Sequence, residues 1–452
     1  MKARSLLLFT AAVAIVVLRF VTRAHGADSW DAVGFLRAVD DFDLGKFQPH
    51  FPGYAVYVAL CKLVRSPPLV SAIASGATAL ALHRLAGGGR GGWVALALWA
   101  GALSPWLTGG AALADATAVA FAAAAFAALT WPGGRAALLG GVALALAIGT
   151  RVSYWPLALS FAVVVARFRP VEERRAALAG CFAATLAWLV PFVAVVGART
   201  LFALGRVHLA GHFSDWGGAV TTRPELAARA LALLRDLVYD GIWPQPIGLA
   251  VALAGCLALA WPWRRPPASA RAVAVIVVVP YALWALFAQN VIEQPRHLVP
   301  LVAAACVAIG LGAARSPRAT IIGFALAALA AAASAPLVLH RGPPAAVVVA
   351  ERVLARHPGR DEAIVFARRS ARLMSATVPS LRVAPADAVS DILGTLERLP
   401  RLPPHVYYVA EELADDDPKH SATADDSLHF CRDARVDRQS PCITLRSYNL
   451  QP

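Results

Sequence analysis

Apolar runs of bilayer-spanning length recur along this chain, and nothing else in it constrains the fold as much. A first run from Ser5 to Val21 follows Lys2 and Arg4. Others cover residues 69–82, 92–108, 112–131, 136–150, 152–166, 176–198, 242–263, 272–289, 298–314 and 319–339. A hydrocarbon core about 30 Å thick takes about 20 helical residues to cross, so the pattern predicts about eleven transmembrane helices. Composition agrees: 58% of the 452 residues are hydrophobic and only 15% are charged, where a soluble domain carries about 25% charged residues. The expected fold class is an all-α polytopic membrane bundle over residues 1–339, followed by a small extracytoplasmic α/β domain over residues 340–452.

The formal net charge of +14 is spread in short clusters between the apolar runs, which suits membrane topology and not nucleic-acid binding. Lys2/Arg4, Arg84/Arg90, Arg135, Arg167/Arg169/Arg174/Arg175, Arg264/Arg265/Arg271 and Arg315/Arg318 fall at alternate ends of successive runs. By the positive-inside rule that side is cytoplasmic, the N-terminus with it. The first run could be a signal peptide or a retained anchor. Arg19 and Arg23, where a cleavage site should be, favour the anchor. Three long segments then lie outside: 22–68, 199–241 and the tail from His340 onward.

In the tail we expect a strand at 363–367, a helix near 387–399 and a strand at 406–410. Its acidic clusters, 415–417 and 425–426, read as solvated loop. Cys431 and Cys442 could pair there in an oxidising compartment. Cys61, Cys181, Cys256 and Cys306 lie in apolar runs, where a lone cysteine acts as a small hydrophobe.

The first external loop is the most informative stretch. From Trp30 to Phe42, Ala32, Phe35, Leu36 and Val39 recur at helical spacing while Asp31, Arg37, Asp40 and Asp41 fall largely elsewhere, which predicts a helix lying in the membrane interface. Residues 54–64 predict a second short interfacial or re-entrant helix, with 48–53 as the turn between them. This loop holds several carboxylates at the outer edge of the bilayer.

Ser29-Trp30-Asp31-Ala32-Val33-Gly34-Phe35 and Pro49-His50-Phe51-Pro52-Gly53-Tyr54-Ala55-Val56-Tyr57 resemble the W-D-S-V-N-F-A and P-H-P-P-G-Y-P-L-Y patterns in the first external loop of bacterial GT-C membrane glycosyltransferases. Phe51 and Ala55 depart from those patterns. The motif residues carried over are Trp30, His50, Pro52, Gly53 and Tyr54. Around Arg296, Pro295-Arg296-His297-Leu298-Val299-Pro300 resembles the R-Y-L-L-P-L-L-P segment of the same class. The resemblance implies transfer of a sugar from a polyprenyl-phosphate donor to a cell-envelope glycan, lipid or protein at the outer face of the inner membrane. It implies a first-loop aspartate as the base, with Asp31 the first choice and Asp28 the second.

A base must be ionised and within hydrogen-bond reach of the acceptor hydroxyl, which an interfacial aspartate can satisfy. The plainer reading of Asp31, and more so of Asp40, Asp41 and Asp43, is a solvated helix face. Asp115 is the one carboxylate in the otherwise uncharged stretch 91–134, and an acid retained in a span is a functional candidate. In some relatives such an acid joins the first-loop aspartate at a divalent metal, so Asp31 with Asp115 could hold Mg²⁺ or Mn²⁺. Arginine forks suit phosphate oxygens, which makes Arg296 and Arg151 candidates for the donor phosphate. Snorkelling at a helix end is the rival reading. His208 and His212, with Asp215 and Trp216 close by, form a His-x3-His cluster that could bind a metal. Two other classes of function compete: a transporter or flippase for lipid-linked glycans, and a non-catalytic relative in an envelope assembly.

Overall fold

The computed structural model describes residues 2–215, 217–246, 253–255, 268–414 and 427–448. Most of the expected span 242–263, Cys256, Trp216 and both acidic clusters of the tail lie outside the described residues. The chain divides into two compact units, Met1–Arg23 with Arg37–Leu339, and Ala24–Leu36 with His340–Pro452.

The first unit is helical. It contains α1 (Lys2–Val21), the end of α2 (Trp30–Ala38), α3 (Ala55–Val64), α4 (Pro67–Leu85), α5 (Gly89–Gly101), α6 (Leu103–Gly109), α7 (Asp115–Ala128) and α8 (Gly134–Thr150). There follow α9 (Trp155–Phe168), α10 (Val171–Val196), α11 (Ala198–Ser214), α12 (Leu226–Val238), α13 (Ala268–Ala288), α14 (Val299–Ala313) and α15 (Pro317–Leu339). Among the described residues four helices are long and apolar enough to cross a membrane, and α3 with α4, bent by 110° at a short break, would make a fifth. Several other apolar runs fold as shorter helices, because the backbone breaks inside or beside them.

One such break divides the run 92–108 at Ala102, whose ψ of 137° is extended. There Gly101 lies against the backbone of Ala331, where an added Cβ would stand 2.8 Å from the amide nitrogen. The break frees carbonyls at the end of α5, and in an apolar setting such groups must be satisfied from within the protein. Arg19, fully buried, supplies the donors: its guanidinium donates to the carbonyls of Trp99 at 3.0 Å and Ala100 at 2.8 Å. An arginine in the first run thus has a packing role. A second buried arginine, Arg229 of α12, works alike, donating to the carbonyls of Leu286 and Gln289 at 2.6 and 2.7 Å. The segment 199–241, expected as a long external loop, is therefore built largely from α11 and α12, and its buried arginine fastens it to the end of α13.

Helices α8 and α10 cross closely through small residues. A methyl group on Gly141 would run into the carbonyl of Ala177, and one on Gly180 into that of Leu138. Close backbone approach through small residues is a common way for helices to pack in lipid, where the apolar tails give no hydrophobic drive. Gly141→Ala should therefore destabilise the first unit by about 1–3 kcal/mol through overpacking, read as a lower midpoint of thermal unfolding in detergent. A substitution at exposed Leu178, on the same helix α10, should leave that midpoint nearly unchanged.

The second unit carries α16 (Ala345–Arg356), β1 (Ala363–Ala367), α17 (Ala371–Thr377), β2 (Arg382–Pro385), α18 (Ser390–Leu396), β3 (His405–Val409), β4 (Leu428–Cys431) and β5 (Cys442–Ser447). These strands form one five-stranded sheet in the order β2-β1-β3-β5-β4. Strand β1 runs parallel to β2 and β3, and β5 runs antiparallel to β3 and β4. All five residues of β1, Ala-Ile-Val-Phe-Ala, are buried, as a parallel strand covered on both faces requires. On one side Ile364, Phe366, Val406 and Tyr408 pack with Ile392 and Leu396 of α18. The strands and helix expected in the tail are present, the first strand at its predicted ends and the others within three residues of theirs. Strands β2, β4 and β5 were not anticipated.

Candidate functional site

In the first unit the site grows from an antiparallel helix pair. Helices α7 and α8 are joined by a short turn, so the start of α7 lies beside the end of α8. Asp115 opens α7 and Arg151 caps the C-terminus of α8, each at the helix end whose dipole favours its charge. They meet there: an Arg151 Nη1 donates to Asp115 Oδ2 at 3.3 Å, with side chains only 9% and 1% exposed. Asp115 Oδ1, Arg151 Nε and the Thr150 hydroxyl are buried without a hydrogen-bond partner among the described residues. Unsatisfied buried groups cost about 1–3 kcal/mol each, more when charged, so this polar cluster is a costly feature that packing alone does not explain. The tyrosines Tyr54, Tyr154 and Tyr281 surround Arg151 electrostatically. The rings of Tyr154 and Tyr281 lie edge to face at 5.6 Å.

Tyr54 joins this centre to the first-loop motif. The turn before it contains two cis prolyl bonds, Gln48-Pro49 and Phe51-Pro52. Gly53 has φ +96°, and a Cβ there would lie 2.7 Å from the Phe192 ring, so glycine is needed on both counts. Tyr54 itself is left-handed at φ 49°, a conformation that non-glycine residues rarely adopt and that gathers at functional sites. Its hydroxyl is 2.7 Å from His50 Nε2. On the other side of the turn, Gly149 lets α3 approach α8, since a Cβ would meet Val56 at 2.6 Å. His50, Pro52, Gly53 and Tyr54 thus shape one turn beside the Asp115–Arg151 pair.

His208 and His212 lie on α11, not on an irregular loop, with rings stacked at 6.4 Å. His208 also stacks on His50 at 6.2 Å and lies against Phe51 at 5.3 Å, so the His-x3-His pair packs against the first-loop turn. His212 Nε2 is engaged with the Ala288 carbonyl at 2.8 Å, which leaves the pair poorly suited to share a metal. Arg296 and His297 occupy a single 3-10 turn, Pro295–Leu298, before α14, and are half-buried. The Tyr281 hydroxyl donates to the His297 carbonyl at 2.8 Å, tying that turn to the tyrosine that flanks Arg151.

The aspartates after α2 are accounted for locally. Asp40 pairs with Arg65 at 2.5 Å and Asp41 with Lys46 at 3.1 Å. Asp43 caps a 3-10 turn by accepting from the Gly45 amide at 2.8 Å, and that bond holds its carboxyl below the usual range. Helix α2 ends at Ala38, four residues before its expected end, where this acidic run begins.

In the second unit Asp31 sits half-buried in the first turn of α2. Its neighbour Trp30 is covered by the Arg372 guanidinium, 4.7 Å from the ring centre. Asp28 lies among Arg341, Arg432 and Asp437. Arg432 also donates to the carbonyls of Arg341 and Gly342 at 2.7 and 3.0 Å. Burial raises the Asp437 carboxyl. Asp28 is thus part of an electrostatic cluster that fastens 24–36 to the tail.

Sequence reasoning singled out Asp115 and Arg151 separately but not as a pair. It missed Tyr154 and Tyr281, which lie in apolar runs with no local signal to separate them from membrane-anchoring aromatics. Asp31 belongs to the second unit and Asp115 to the first.

No known protein-family profile matches the chain, and no curated protein matches its sequence. Among solved structures, the crystal structure of ArnT from Cupriavidus metallidurans in the apo state matches 98% of this chain and 98% of that chain, with a TM-score of 0.61 at 13% identity. At that identity the likeness is one of fold. The shared fold agrees with the helical bundle and small α/β tail expected from the sequence, and four of the described helices are long and apolar enough to cross a membrane.

Proposed function

We propose that this protein is a membrane glycosyltransferase that moves a sugar from a polyprenyl-phosphate donor to a cell-envelope glycan, lipid or protein at the outer face of the inner membrane. The observation that carries the reading is the buried Asp115–Arg151 pair, flanked by tyrosines and by the His50–Tyr54 turn, in a fold shared with ArnT. A carrier would be expected to place its ionisable groups along a transport path broken by inverted repeats. Here a guanidinium suited to binding phosphate is instead held beside a structured first loop.

In this reading the acceptor hydroxyl attacks the anomeric carbon of the donor and gives its proton to a base, the role that the first-loop resemblance assigns to Asp31, while the bond from the sugar to phosphate oxygen breaks. Arg151 and Arg296 hold the phosphate as charge builds on it, and Asp28 keeps the Asp31 segment on the tail. Arg151 spends part of its charge on Asp115, so an incoming phosphate would compete with that carboxylate. Inversion at the anomeric carbon follows from a single displacement. Asp115 is a poor divalent-cation ligand as placed, because Arg151 offsets its charge through one of its two oxygens, and the reading routes no step through Mg²⁺ or Mn²⁺. The disulfide between Cys431 and Cys442 supports an extracytoplasmic tail, since such bonds persist in oxidising compartments.

The test is mass spectrometry of envelope glycans and glycolipids from a deletion strain, with and without the gene restored. Loss of one sugar species, recovered on restoration, is the expected result. An unchanged glycan profile together with accumulation of no polyprenyl-phosphate sugar would remove the enzyme reading and leave the assembly role.

A further inference from the structure

His429 of β4 and the paired cysteines of β4 and β5 form a group that the sugar-transfer reading does not use. Cys431 and Cys442 face each other across the two strands and are joined as a disulfide. One ring nitrogen of His429 and both sulfurs lie within 4.8 Å of one another. His429 Nε2 is 3.1 Å from Cys431 Sγ.

The ring is held in one tautomer by a relay. The Thr444 hydroxyl donates to the Glu411 carboxylate in a short bond, and the Thr444 amide donates to the same carboxylate at 2.9 Å. With its proton spent on Glu411, the Thr444 oxygen can only accept from His429 Nδ1, 2.9 Å away. The proton is therefore on Nδ1, and the bare Nε2 lone pair faces sulfur. This carboxylate–hydroxyl–imidazole chain is the kind of support that orients and strengthens a histidine ligand at a metal. While the sulfurs are bonded to each other, it has nothing to ligate.

We infer that His429, Cys431 and Cys442 form a redox-gated zinc site, closed to metal as the disulfide and opened by reduction to a two-thiolate, one-imidazole set. A dithiol reductant supplies two electrons and two protons to the sulfur–sulfur bond and is itself oxidised to a disulfide, leaving Cys431 and Cys442 as thiols. Zn²⁺ then binds both sulfurs and His429 Nε2, and the two thiol protons pass to solvent. Two thiolates and an imidazole are a recognised zinc donor set, and three protein ligands leave the fourth tetrahedral position for water. His429 and Cys431 are exposed and Cys442 half-exposed, so reductant and metal can both reach them.

The experiment uses the full chain in detergent, either left oxidised or reduced with dithiothreitol and desalted anaerobically. It is then titrated with Co²⁺, read by thiolate-to-cobalt absorbance, and with Zn²⁺ against a chromophoric chelator. Reduced protein should bind a single ion per chain and oxidised protein none at the same concentrations. Thr444→Val, which breaks the relay, should weaken binding about 10- to 100-fold, and His429→Ala by at least as much. Far-UV circular dichroism of each oxidised variant shows that it is folded. Equal binding by the oxidised and reduced forms would overturn the proposal, as would binding by reduced His429→Ala equal to wild type, or no binding by reduced, folded protein. The readout is metal binding, so none of these outcomes bears on sugar transfer.

Discussion

Arg151→Met is expected to destabilise the first unit by about 3–5 kcal/mol, because it leaves the Asp115 carboxylate buried without its counter-charge. Asp115 is wholly buried and its side chain is only 1% exposed, so water cannot replace the lost guanidinium. Asp115→Leu should cost a similar amount for the converse reason. The double variant is the informative one, since replacing both members of a buried pair by apolar groups is often neutral or stabilising. We therefore expect Asp115→Leu/Arg151→Met to recover most of the lost stability, giving a coupling energy at the upper end of the range for directly interacting residues. Thermal unfolding of the four proteins in one detergent measures this. Transfer activity separates the two roles of the pair. A merely structural pair would let the double variant recover both stability and transfer, while a phosphate-holding Arg151 would let it recover stability alone.

The bundle was legible because lipid imposes a single rule on sequence: long uncharged runs, with positive charge at one end of each. What was not legible follows from the limits of that rule. The run 92–108 contains no charge to mark its break at Ala102; the break depends on Gly101 meeting the backbone of Ala331, over two hundred residues away. Arg19 looked like a signal about processing, yet it serves the carbonyls that this break frees. The pairing of Asp115 with Arg151 requires knowing that α7 and α8 form an antiparallel pair, although the two residues stand at the very ends of the apolar runs that predict those helices. The turn 48–54 carried the strongest signal in the chain, and its histidine and tyrosine do lie at the polar centre of the first unit. Asp28 was the second choice for the base. Its partners Arg341 and Arg432 come from the far end of the chain, and spacing along a single loop cannot reveal them.

Asp31→Asn is expected to lower transfer by about 10²–10⁴-fold, the usual contribution of a positioned general base, while leaving the fold intact. Asparagine keeps the size and a hydrogen-bonding oxygen but cannot take the acceptor proton. Asp31 is half-buried at the start of a helix, where losing a favourable dipole interaction costs only about 0.3–1 kcal/mol. A loss of rate with a nearly unchanged unfolding midpoint is therefore the signature of catalysis. Asp28→Asn supplies the contrast, because its carboxylate lies against Arg341 and Arg432. Removing that charge should lower the stability of the second unit and reduce transfer only in proportion to the protein that unfolds. Both variants can be assayed in inverted and right-side-out membrane vesicles supplied with a radiolabelled polyprenyl-phosphate sugar and a detergent extract of envelope acceptors. Full transfer by Asp31→Asn at normal expression would reduce that residue to the solvated face of a short helix.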